Sequence, residues 1–299
     1  MNRRRLLQLP ILAGAAAAIA APARASSGKT MPPDAAGMLY DSTLCIGCKT
    51  CVVACREANG LAPSATDGLH DQQTELNATT KNVIKLYRDR EQPGVWAFMK
   101  QQCMHCIDPA CVSACMIGAL QKRVQGAVTY EKDTCVGCRY CQIACPFQVP
   151  KFEFSSVTPQ VVKCELCAPR LQRGQQPACT EVCPRQAVIF GRRDALLQEA
   201  KARIARSPGK YQPKVYGEHD GGGTQVLYLS RAEDSFAKLG LPDLGDEAVP
   251  HLSESIQHGV YQGMLTPAVL YAGLGALIWR NRRNDDAAKK AAPHPEEER

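Results

Sequence analysis

Outside four short stretches this chain has no cysteine, and inside them it has sixteen. Spread over 299 residues, that share lies below the roughly 8 to 10% typical of small disulfide scaffolds, which argues against cross-linking as the reason for them. Also lacking is any arginine-rich run interleaved with aromatic residues, so nothing points to nucleic acid. The formal charge of +7 adds little, because Arg3, Arg4, Arg5 and Arg24 all fall in the first 25 residues. Gly221-Gly222-Gly223 is followed by Thr224-Gln225-Val226, without the Lys-Ser or Lys-Thr that a phosphate loop requires, and reads as a loop before a strand ending near Ser230. No acid, base or nucleophile stands in a catalytic pattern. Finally, no Lys, Arg, Asp or Glu occurs from Ser255 to Trp279.

What is present is order among the cysteines. The first quartet, Cys45, Cys48, Cys51 and Cys55, and the third, Cys135, Cys138, Cys141 and Cys145 before Pro146, share the spacing C-x2-C-x2-C-x3-C. The second is Cys103, Cys106, Cys111 and Cys115, and the fourth is Cys164, Cys167, Cys179 and Cys183 before Pro184. A cubane cluster takes one thiolate per iron, and in two-cluster ferredoxins a run lends three thiolates to one cluster and its fourth to the other. Structural zinc sites use two separated pairs instead. Four 4Fe-4S clusters are therefore expected. The phrase after Cys115, with Met116 where a ferredoxin has proline, recurs after Cys183 as Pro184-Arg185-Gln186-Ala187-Val188. That repeat predicts an α+β fold of two interleaved ferredoxin-like units with inserted loops, the inner unit lying within the outer. Ligation is expected to cross: Cys45, Cys48 and Cys51 with Cys183; Cys164, Cys167 and Cys179 with Cys55; Cys103, Cys106 and Cys111 with Cys145; Cys135, Cys138 and Cys141 with Cys115.

The rest of the chain falls around this core. Residues 1–25 read as a twin-arginine signal, with Arg3-Arg4-Arg5 ahead of an apolar stretch and Ala23-Arg24-Ala25 as a cleavage site. A route that carries folded proteins lets clusters form before the thiols reach an oxidising compartment. Residues 26–37 are a linker, 38–210 the four-cluster domain, and 211–255 an extension with one strand. Within the domain, strands are expected at Met38–Tyr40, Val83–Tyr87 and Val95–Met99, a polar surface loop at Asn59–Thr80, a hairpin across Gln125-Gly126, and a helix over Asp194–Arg206. Residues 256–279 are expected to form a transmembrane helix, since the twenty residues Val260–Trp279 would extend about 30 Å, one bilayer core. Arg280, Arg282 and Arg283 follow, whereas Leu239–Gly259 holds acids and no Lys or Arg. By the positive-inside rule the tail, 280–299, is cytoplasmic and the cluster domain periplasmic.

Gly37-Met38-Leu39-Tyr40-Asp41-Ser42-Thr43-Leu44-Cys45, Lys100-Gln101-Gln102-Cys103-Met104-His105-Cys106, Gly137-Cys138-Arg139-Tyr140-Cys141, Lys163-Cys164-Glu165-Leu166-Cys167 and the Gly221–Val226 run resemble the four-cluster ferredoxin subunits of membrane-bound bacterial oxidoreductases. The nearest resemblance is to the electron-transfer subunits of hydrogenase-2 type nickel-iron hydrogenases. It implies a non-catalytic inner-membrane subunit relaying electrons between the hydrogenase small and large subunits and a multi-spanning, quinone-reactive membrane subunit. In that setting His105 is expected to pack or to hydrogen-bond cluster sulfur, not to ligate, and Arg139 and Tyr140 to shield the third cluster. Two other readings stay open: the equivalent subunit of a molybdenum or tungsten oxidoreductase, and a zinc-stabilised interaction protein.

Overall fold

In the computed structural model, residues 29–62, 75–89, 94–154 and 159–291 are described; the expected signal, the middle of the polar loop after Asn59 and the end of the tail lie outside them. Ala36–Asp41 forms strand β1, buried along nearly its whole length. After it come helix α1 (Thr50–Ala58), strands β2 (Asn82–Arg88) and β3 (Trp96–Gln102), and helix α2 (Ala110–Ser113). Strands β4 (Leu120–Lys122) and β5 (Val128–Tyr130), helix α3 (Tyr140–Ala144) and the two-residue strands β6 (Lys151–Phe152) and β7 (Val161–Val162) follow. Helices α4 (Ala168–Gln172) and α5 (Ala178–Glu181) lead to strand β8 (Val188–Arg192), helix α6 (Arg193–Arg206), strand β9 (Val226–Leu229) and helix α7 (His251–Ala291).

β1 is the centre of a sheet ordered β8-β1-β9. It runs antiparallel to β8, with Met38 opposite Phe190, and parallel to β9, with Met38 opposite Val226. Parallel neighbours need a long crossover, and here the crossover from Asp41 to Val226 contains every cysteine. The segment after residue 210, expected as an extension, thus supplies an edge of the central sheet, and residues 27–251 form one compact unit. Tyr40 and Tyr228 meet edge to face at 5.3 Å. Their buried hydroxyls donate to the carbonyls of Phe98 and Lys100, both at 2.7 Å, which ties the sheet to β3.

The expected strand pair is β2 with β3, antiparallel from Asn82 opposite Gln102 to Arg88 opposite Trp96. The expected hairpin is β4 with β5; Gly126 takes a φ of +100°, and a Cβ there would meet the Ala36 carbonyl oxygen at 2.7 Å, so only glycine fits. α6 occupies the expected helix and buries Leu196 and Ala200. Its Arg203 donates to buried Asp41 at 3.1 Å, and Tyr211 and Thr43 complete that carboxylate at 3.0 and 2.6 Å. The cysteine-bearing helices are too short to be stable alone and pack in pairs, α1 on α5 and α2 on α3.

α7 belongs to a second unit. It covers Val260–Trp279 within a helix of 41 residues, Pro267 included. Among the described residues no helix is long and apolar enough to cross a membrane.

Candidate metal-cluster sites

The first Cys-x2-Cys loop of each quartet turns at its third residue in the left-handed region: Gly47 at φ 70°, His105 at 50°, Gly137 at 73° and Leu166 at 56°. For a side-chain-bearing residue this costs roughly 1–2 kcal/mol, and it persists only where surrounding structure dictates it. Lys49 and Arg139, at φ 55° and 65°, reverse the chain again and open α1 and α3, which carry Cys51 and Cys141 inward. Gly47 has a second constraint, because a Cβ there would lie 2.3 Å from the Phe98 ring, whereas at Gly137 the nearest atoms are 3.8 Å away. Gly47→Ala is expected to cost about 3 kcal/mol, from strain and overpacking together, against about 1 kcal/mol for Gly137→Ala, read from thermal unfolding of the purified variants. Equal losses would mean that Phe98 swings aside.

After the fourth cysteine of the second, third and fourth runs the loops close alike. Gly118 donates to Cys115, Gln148 to Cys145 and Gln186 to Cys183, each backbone bond at 3.1 Å. Met116 therefore sits in the same turn as Pro146 and Pro184. Met116→Pro is expected to leave iron content unchanged and stability within about 0.5 kcal/mol; lost iron would show that this loop depends on methionine.

None of the sixteen cysteines is paired in a disulfide. Cys45, Cys48 and Cys51 of the first run line one cavity together with Cys183 of the fourth. Burial pushes the Cys55 thiol up to about 11, with Cys179 and Cys167 adding to it. Burial also pushes the Cys106 thiol up, with Cys103, Cys145 and Cys111 adding to it. At Cys141, pushed up to about 11, the neighbours after burial are Cys115, Cys135 and Cys138. Each trio thus stands with the fourth cysteine of another run.

Links between groups appear the same way. Cys179 acts on Cys51, Cys103 on Cys164, and Cys141 on Cys111. Counted by their trios, these links join the first quartet to the fourth, the fourth to the second and the second to the third. The middle of this row is deep, with Cys55, Cys103, Cys111, Cys164 and Cys179 all buried, while Cys48 and Cys138 at its two ends are exposed.

The residues fit 4Fe-4S clusters better than zinc. A tetrahedral zinc with sulfur ligands at about 2.3 Å holds its sulfurs about 3.8 Å apart, yet among the described residues no three His, Cys, Asp or Glu converge enough to share one metal ion. A cubane places one thiolate on each of four irons, a donor set that an all-cysteine quartet supplies. Burial holds Cys51 and Cys111 up at about 12, so loading with iron must displace protons. His105 is wholly buried, and burial pushes its imidazole well below the usual value. Its Nδ1 accepts from the Val128 amide at 3.0 Å, which leaves the proton on Nε2, where no protein acceptor is present among the described residues. An N–H without an acceptor beside Cys106 suits a sulfur-rich cofactor. Arg139 covers the rings of Phe152 and Phe154 at 5.3 and 4.5 Å, whereas Tyr140 is exposed.

Residues 44–119 and 94–193 each match a family model described as a 4Fe-4S dicluster domain. The hydrogenase-2 operon protein HybA of Escherichia coli O157:H7 is 40% identical, over 95% of this chain and 97% of that protein. The iron-sulfur subunit of the nitrate-inducible formate dehydrogenase of Escherichia coli K12 is 37% identical over 68% of this chain and 71% of its own. A formate dehydrogenase iron-sulfur subunit of Haemophilus influenzae is 34% identical, over 73% and 74%.

Proposed function

We propose, for a chain that belongs to the HybA-like family of 4Fe-4S dicluster proteins, the role of a non-catalytic electron-transfer subunit. It relays single electrons between a nickel-iron hydrogenase, entered through that enzyme's small subunit, and a multi-spanning membrane subunit that reacts with quinone. The observation that carries the reading is the row of four quartets, buried in the middle and reaching exposed cysteine loops at both ends. Bound there, four 4Fe-4S clusters supply one-electron centres whose potentials depend on burial and hydrogen bonds. The protein spaces them, keeps water from the inner two, and presents Ile46 at one end and Val136 and Ile143 at the other as exposed apolar side chains for partners to cover.

The reading extends to the two ends of the chain. No described helix is long and apolar enough to cross a membrane, so the anchor is proposed from the sequence: the uncharged stretch to Trp279 and the arginines after it, with Val269, Leu270, Leu274, Leu277 and Ile278 of α7 exposed, support a single pass with its C-terminus cytoplasmic. The twin-arginine sequence supports export of the cluster domain to the periplasm.

The formate dehydrogenase relatives keep a second reading in view, and one experiment separates them. From detergent-solubilised membranes the chain is expected to co-purify with the hydrogenase subunits and a multi-spanning protein. Hydrogen should bleach its brown absorbance and a quinone analogue restore it. Bleaching by formate, with molybdenum or tungsten in the complex, would assign the chain to that enzyme class instead. A colourless, zinc-containing protein would leave only an interaction module.

A further inference from the structure

Lys100 on β3 has no exposed surface. Its Nζ donates to the Oε1 of Gln102, whose own Nε2 donates to the Met38 sulfur at 3.3 Å. Among the described residues no ion pair to a carboxylate is found for it. A lone ammonium in such a place is strongly destabilising unless something anionic faces it. What faces it are cysteine sulfurs, which become anionic when they hold iron: Cys179, Cys51, Cys164 and Cys55 act on Lys100, and it draws Cys51, Cys55 and Cys179 down against the upward push of burial. It also lines the cavity bounded by Cys45, Cys48, Cys51 and Cys183. Lys100 therefore stands between the first and fourth quartets of the row. The second quartet has other lysines, Lys163 acting on Cys111 and Lys122 on Cys106.

We propose that Lys100 is a positioning residue of the electron path, whose fixed ammonium raises the reduction potentials of the two centres held by the first and fourth quartets and leaves the other two unmoved. An electron arriving from the donor adds one negative charge, which a nearby cation in a dry interior stabilises. The same electron leaves towards the acceptor, and Lys100 neither gains nor loses a proton. The proposal rests on the reading of the quartets as 4Fe-4S sites.

The test is a redox titration of the full-length chain in its complex, followed by electron paramagnetic resonance, for the native protein, Lys100→Met and Lys100→Arg. Lys100→Met is expected to lower the midpoint potentials of two of the four centres, and Lys100→Arg to restore them. Four titrating centres unchanged in Lys100→Met, or all four shifted alike, would overturn the role of Lys100 and leave the cluster reading standing. Absence of any 4Fe-4S signal in the native protein would remove both. If Lys100→Met does not fold, Gln102→Glu sets a carboxylate against the same ammonium. It should lower the same two potentials, and a folded Gln102→Glu with native potentials overturns the proposal.

Discussion

Cys164→Ala is expected to remove about four of about sixteen irons, one cubane's worth, and to stop electron transfer from end to end. Cys164 is buried, and its neighbours are Cys55, Cys103, Cys167 and Cys179. It therefore stands where the fourth quartet meets the second, in the middle of the row. Losing an inner station should be worse than losing an outer one, because a gap in the middle leaves neither partner within reach of the other. Hydrogen-driven reduction of quinone should fall to background, while a soluble dye that takes electrons directly from the hydrogenase keeps its rate. Quinone reduction surviving at more than about a tenth of the native rate, a barrier change of only about 1.4 kcal/mol, would mean that the quartets do not act in series.

Removing α7 tests the second large effect. A chain ended before Ser255 retains the compact unit of residues 27–251, so its clusters should survive. An electron path ending at a membrane subunit has to be held at one height and orientation, and a tether achieves this by raising effective concentration. Truncation should therefore cost quinone-linked hydrogen oxidation on the order of 10²-fold, the low end of what tethering provides, and leave dye-linked oxidation intact. Equal loss of both rates would make the helix an assembly element. No loss of either would show that docking through the cluster domain alone suffices.

The cysteine spacing made the 4Fe-4S dicluster family legible, because ligand order along a loop is local chemistry that folding does not rearrange. The β2–β3 pair, the hairpin at Gly126 and α6 were legible for the same reason, as each closes within a few residues of its own turn signal. The pairing of β1 with β9 was not, since nothing in Val226–Leu229 names a partner beyond all four quartets. That is why residues after 210 read as an extension and prove to be a sheet edge. Lys100 and Lys163 also escaped notice: a lysine in sequence reads as solvated surface, and only the fold reveals that both are buried against thiols and carbonyls. His105 and Leu166 in left-handed turns were equally silent, because sequence marks that conformation only when it uses glycine, as at Gly47 and Gly137.

The central claim is that sixteen thiols in crossed quartets hold four iron-sulfur clusters in one chain. Its most direct test is the content of iron, acid-labile sulfide and zinc in one anaerobically purified sample of the full-length protein. About sixteen iron and about sixteen sulfide per chain, four of each for every cubane, with negligible zinc, is the predicted result. About four zinc without sulfide would contradict it outright, and about twelve iron would show that one quartet, with Cys111 the first suspect, holds no cluster.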